Sequence, residues 1–171
     1  MFQTALQQIL FVLFPIGMAY SAAADLLTMT ISNRISLALV AIFLPLAPLT
    51  GMDWQTFGMH WAAGGAVLAV SFTFFAFGWI GGGDAKLSAA IALWLGWGNT
   101  LEFVSLAAVF GGLLTLVILS FRGAVLPAAV VRQPWIARLH DEKAGVPYGV
   151  ALAAAALAIY PHTIWVKMVT G

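Results

Sequence analysis

Apolar runs of bilayer-crossing length follow one another down this chain, and most of its few charges fall in the breaks between them. A spanning helix needs about 20 mostly apolar residues, fewer where the bilayer thins or a site is recessed. The runs predict helices over about 5–24 (continuing less cleanly to 31), 35–49, 57–80, 85–97, 103–121 and 146–166. Hydrophobic residues make up 63% of the 171 and charged ones 8%, where a soluble domain carries roughly a quarter charged. The expectation is an all-α, polytopic integral membrane bundle of about six transmembrane helices, one membrane-embedded domain over 1–171. The N-terminus lacks a basic segment ahead of its long apolar run, which predicts a retained helix rather than a cleaved signal peptide.

Several function classes fall away on composition. The net charge is +1 and no basic tract is present, so nucleic acid is not an expected partner. With no cysteine, disulfides, thiolate metal sites and a cysteine nucleophile are excluded. His60, His140 and His162 are scattered without metal-ligand spacing and read as interfacial or packing groups. The seven tryptophans lie mostly near predicted helix ends, where an aromatic belt would place them.

The cations set the orientation. Arg34, Lys86, Arg122, Arg132, Arg138 and Lys143 fall in three loops on one side, six of the seven basic residues. By the positive-inside rule that side is cytoplasmic, while Asp53, Glu102 and Lys167 face outward. The one long polar segment, 122–145, is punctuated by Pro127 and Pro134 and holds two mildly amphipathic stretches, 128–131 and 135–139. It is expected to lie against the inner leaflet, with substrate docking as the alternative role.

Within this frame one stretch stands out. Gly81-Gly82-Gly83-Asp84-Ala85-Lys86 places a carboxylate between two strongly apolar runs. An ionisable group at membrane depth is costly enough to mark a functional site, and the glycines let another chain segment approach the backbone closely. An interfacial loop, with Asp84 capping a helix and Lys86 snorkelling, would need the same residues. A second acid, Asp25, falls at the same cytoplasmic end, nine residues before Arg34, about 13 Å if helical. Two recessed carboxylates facing one another cannot both ionise easily and share a proton. The ionised one can then deprotonate water while the protonated one polarises a peptide carbonyl. Lys86, two residues beyond Asp84, points to a different helix face and reads as an anchor or a substrate-facing charge. Ser32 and Asn33 are placed to cap the second helix, and Asn33 is also a candidate for substrate contact.

Gly81-x-Gly83-Asp84 resembles the GxGD motif of intramembrane aspartic proteases. The segment from Asp25 to Ile31-Ser32-Asn33-Arg34 is similar to the first aspartate motif of type IV prepilin peptidases, with Ser32 where that motif commonly has proline. Pro147-Tyr148-Gly149-Val150-Ala151 resembles the start of that family's last helix. The likeness covers essentially the whole chain and is nearest to the short prepilin peptidases of Tad (Flp) pilus systems. Longer members carry a cytoplasmic insert with zinc cysteines and also methylate the new N-terminus; this chain has neither insert nor cysteine, so methylation is not implied.

The resemblance implies an aspartic endopeptidase of the bacterial inner membrane with its active site facing the cytoplasm. Asp25 and Asp84 would be the catalytic pair, with Gly81, Gly83, Lys86 and Asn33 along the substrate approach. The implied partners are a prepilin (leader plus apolar helix) and membrane lipid, with no metal or organic cofactor. The small, glycine-rich bundle is compatible with a homo-oligomer. Two rival classes use the same residues: a small proton-coupled transporter relaying protons through the acids, and a non-enzymatic pilus or secretion assembly factor using the glycines for packing. The transporter would more naturally show related halves, and no internal repeat is evident.

Overall fold

The structure, a computed structural model, describes residues 2–170 and is all-helical over them. Helix α1 (Phe2–Thr28) is followed by α2 (Asn33–Leu49), α3 (Trp54–Ala76), α4 (Gly82–Leu95) and α5 (Trp97–Arg122). Two short helices, α6 (Ala128–Val131) and α7 (Pro134–His140), occupy the long polar segment, and α8 (Tyr148–Ile159), a 3₁₀ turn (Tyr160–His162) and α9 (Ile164–Thr170) complete the chain.

Local chemistry sets the breaks. Asp53 caps α3 by accepting the Thr56 backbone N–H at 2.9 Å, and Ser32, rather than Asn33, caps α2. Gly78 and Gly96 take φ of 74° and 78°, a left-handed conformation that glycine adopts freely, and they end the α3 and α4 segments. Met29 does the same at φ 55° without glycine's freedom, and its N–H returns to Asp25 O at 2.7 Å to close α1. The chain then reverses, which carries Ile31 back against the bundle.

The layout differs from the expectation at its fourth and sixth helices. Helix α4 starts at Gly82, three residues early, so Asp84 lies inside the first turn rather than ahead of the helix. It is also the centre of the molecule: ten of its fourteen residues are buried, between α2, α3, α5 and α8. The run expected to be one helix over 146–166 breaks at Pro161, whose ring removes a backbone donor. Thr163 turns extended there, and its buried hydroxyl caps Tyr160 O at 2.6 Å. Three stretches, Phe11–Thr28, Trp54–Ala76 and Trp97–Arg122, are long and apolar enough to cross a membrane; Asn33–Leu49 and Tyr148–His162 are apolar but shorter.

The core concentrates around the C-terminal half of α4. Trp94 and Trp165 are fully buried, which corrects the aromatic-belt reading for these two. The Trp94 indole donates to Leu39 O at 3.0 Å, and the Trp165 indole to Trp94 O at 2.6 Å. Phe14, Phe43 and Tyr160 complete the cluster, with ring centroids 4.8–5.9 Å apart along its contacts. Trp54, Trp79 and Trp97, at helix ends, are exposed as a belt requires.

Candidate active site

The GxGD spacing has a local structural meaning. Gly81 is the N-cap of α4 and Asp84 its third helical residue, the position from which a carboxylate can reach back to the cap's own N–H. Asp84 does so, accepting the Gly81 backbone N–H. A Cβ on Gly81 would lie 2.8 Å from Asp84 Oδ2, so glycine leaves room for the carboxylate to fold back. Gly83 answers a different neighbour. A Cβ there would lie 3.0 Å from Ile31 Cβ and 3.2 Å from Ile31 O, so its bareness lets the α1–α2 connection press against the α4 N-terminus.

Asp25 is supplied by the last turns of α1 and is 5% exposed. Its Oδ2 accepts the backbone N–H of Gly149 at 2.7 Å, across 124 residues of sequence. That donor is one of the first-turn N–H groups of α8, which have no partner within their own helix. A Cβ on Gly149 would meet Asp25 Oδ2 at 2.8 Å and Ile31 Cδ1 at 2.7 Å. Ile31 is therefore wedged between two glycines, Gly83 beside one acid and Gly149 beside the other. Asp84, half-buried, lies within electrostatic reach of Asp25.

The site's third wall is Tyr148, close enough to Asp84 for its hydroxyl to sense that charge. The hydroxyl donates to Ala107 O at 3.3 Å, in a notch where a Cβ on Gly111 would overlap the ring. Tyr148 thus docks the α8 N-terminus, and with it the Gly149 donor, onto α5. The polar segment is tied to the same end. Arg138 donates to Leu27 O at 3.0 Å, satisfying a carbonyl at the end of α1. Arg122 donates to Leu139 O at 2.9 Å and to the carbonyls of Ala144 and Gly145 at 2.9 and 2.8 Å.

All six residues singled out from sequence therefore lie at one end of the bundle, though not in one cluster. Asp25, Asp84, Gly81 and Gly83 form one group. Lys86 faces away from Asp84, and its ammonium donates to Asn33 Oδ1 at 2.9 Å, linking α4 to α2. Gly149, Tyr148, Gly111 and Ile31 were missed as site-builders; the Pro147–Ala151 segment was noted for its resemblance alone. Of the histidines, His60 is a core group bonded to Leu93 O at 2.7 Å. Among the described residues no three His, Asp or Glu side chains converge as a metal site would need.

A family model described as the type IV leader peptidase family matches residues 12–116, a span that holds Asp25 and Asp84 and stops short of Gly149. No curated protein and no solved structure matches the chain.

Proposed function

Because the chain belongs to the type IV leader peptidase family, we propose that it is an aspartic endopeptidase in which Asp25 and Asp84 direct one water at the bond joining a prepilin leader to its apolar helix. The observation that carries this reading is the convergence of two secluded carboxyl groups, far apart in sequence, at one end of a membrane bundle. One shared proton between them suits the chemistry. The ionised carboxylate takes a proton from water as its oxygen attacks the carbonyl carbon, and the protonated partner hydrogen-bonds the carbonyl oxygen. Collapse of the tetrahedral intermediate breaks the C–N bond, the leaving amine takes the proton, and the pair is restored. The Gly149 N–H fixes Asp25 through Oδ2 and leaves Oδ1 for the water.

The setting we propose is the bacterial inner membrane, with the carboxylates toward the cytoplasm. Its support is the gathering of cations at that end, where Lys86 reaches Asn33 and Arg138 reaches the end of α1. A Flp-type prepilin is the proposed substrate, in keeping with a sequence that holds no cysteine. In a membrane assay on a prepilin, Asp25→Asn and Asp84→Asn are each expected to abolish processing, a loss of about a thousandfold or more, with the double variant little worse, because the pair acts as a unit. Substantial processing by either single variant at wild-type protein level overturns the aspartic mechanism. A transporter would cleave no prepilin at all, and a packing role would tolerate Asn at both positions.

A further inference from the structure

On the face of α4 turned away from Asp84, a cavity of about 390 Å³ runs between α2, α3 and α4. The hydrogen-bonded Asn33–Lys86 pair lines its end nearest the carboxylates. From there Lys86, Ala90 and Leu93 mark one helical stripe, about 10 Å long, roughly two turns. Two features distinguish the cavity from loose packing. The Ser36 hydroxyl on its α2 wall is buried and has no hydrogen-bond partner, a state that costs free energy unless an occupant supplies one. The adjacent glycines of α3 also differ. Gly64 is packed, with a Cβ there 3.1 Å from Leu93 Cβ and 3.2 Å from Ala89 O, whereas a Cβ on Gly65 meets nothing within 4 Å. Gly64 holds α3 against α4, while Gly65 leaves space that the protein itself does not fill.

We propose that this groove is the berth of the substrate's apolar helix during cleavage, an inference that rests on the leader-peptidase reading above. The occupant's chemistry is matched along the groove's length. Apolar and small side chains line its depth, the unpartnered Ser36 hydroxyl would gain an acceptor by turning toward a helix carbonyl, and a cation and an amide stand at the end where the apolar helix gives way to the polar leader. The register is also matched. Asp84 is only two residues from Lys86, and the exposed cap Gly81 lies just ahead of both, while Phe75 packs over Gly82 and Ile31 over Gly83. A chain leaving the groove at its Lys86 end passes over the uncovered Gly81 cap to reach the carboxylates. The helix is thus held on one side of α4 while its scissile bond is presented on the other.

The test fills the groove where filling disturbs nothing else. Gly65→Leu is expected to raise KM for a full-length prepilin about tenfold or more with kcat little changed, while Gly112→Leu, an equally open position on α5, behaves as wild type. The absence of native cysteine allows a second, background-free readout. In the Asp84→Asn protein, Leu68→Cys in the groove is expected to form a disulfide with a cysteine in the prepilin's first two apolar turns, and Leu113→Cys on α5 is not. Wild-type KM in Gly65→Leu together with no crosslink at Leu68→Cys overturns the proposal, and a groove filled only by a lipid chain gives that result. Wild-type protein that cleaves no prepilin would instead overturn the leader-peptidase reading itself.

Discussion

At its C-terminal end α4 is held by rings, and at its N-terminal end by the absence of side chains. Around Trp94, the indoles of Trp94 and Trp165 and the rings of Phe14, Phe43 and Tyr160 pack as one buried cluster, and both indole N–H groups are spent on backbone carbonyls. Around Asp84 the contacts run through the bare backbone of Gly81, Gly83 and Gly149, to the two carboxylates and to Ile31. Aromatic packing fixes position by bulk. Glycine contacts fix position by proximity, at distances a side chain would not allow. A helix anchored at one end by the first device can present a carboxylate at the other by the second without the site having to be its own foundation.

The comparison breaks most visibly at the aromatic end. Trp94→Ala removes the shared partner of Phe14, Phe43 and Trp165 and is expected to cost about 3–5 kcal/mol of stability, as large-to-small changes at fully buried aromatic sites do. Unfolding in detergent measures it. At a temperature where the variant remains folded, turnover per folded molecule is expected to stay within a few fold of wild type. A variant that is stable but inactive would mean that the rings shape the site directly and that the division between the two ends is false.

How much of this was legible in the sequence follows from the range of each contact. Asp25 and Asp84 were legible because charge is rare in this chain and each acid sits in an apolar run. Gly81 and Gly83 were legible because their roles are spent within a few residues, on Asp84 itself and on the helix start. Gly149 was not, since its role exists only when α8 meets α1 across 124 residues. Ile31 read as filler for the same reason: its two glycine partners come from different helices. The burial of Trp94 and Trp165 was hidden by the solvent. In a soluble protein the polar face of a helix reveals which side is core, whereas lipid-facing and protein-facing sides of a membrane helix are both apolar. The break at Pro161 was written in the sequence, and the unbroken apolarity around it masked it.

The next prediction sharpens the contrast at the glycine end. Gly149→Ala adds one methyl group whose Cβ would lie 2.8 Å from Asp25 Oδ2 and 3.1 Å from Asp25 Cβ. Ile31 can swing its terminal methyl aside, but Asp25 sits on a regular helix and yields only by moving its carboxylate. A displacement of a few tenths of an ångström to an ångström is expected to lower kcat about a hundredfold, with thermal stability changed far less than in Trp94→Ala. Prepilin cleavage and unfolding measured on the same preparation decide it. Wild-type kcat would show that the Gly149 contact does not position Asp25 for chemistry.

The smallest effect is expected farthest from the carboxylates. Asp53 is exposed at the opposite end, and its one structural task is to cap α3 through the Thr56 N–H. That hydrogen bond, made to the ionised form, holds the Asp53 carboxyl below its ordinary range. A depressed folded-state value stabilises above the unfolded pKa, and the contribution is lost as pH falls through the folded one. The start of α3 should therefore be held at neutral pH and loosen on acidification, a change that amide exchange at Thr56 would register. Asp53→Asn keeps an oxygen able to cap while removing the charge, so it should leave the protection of Thr56, its exchange rate relative to the intrinsic rate at each pH, nearly pH-independent and prepilin cleavage within about twofold of wild type. A marked loss of cleavage in Asp53→Asn would mean that an acid at the far end takes part in turnover, as a proton relay through the bundle would require, and the separation between an anchoring end and a working end would have to be abandoned.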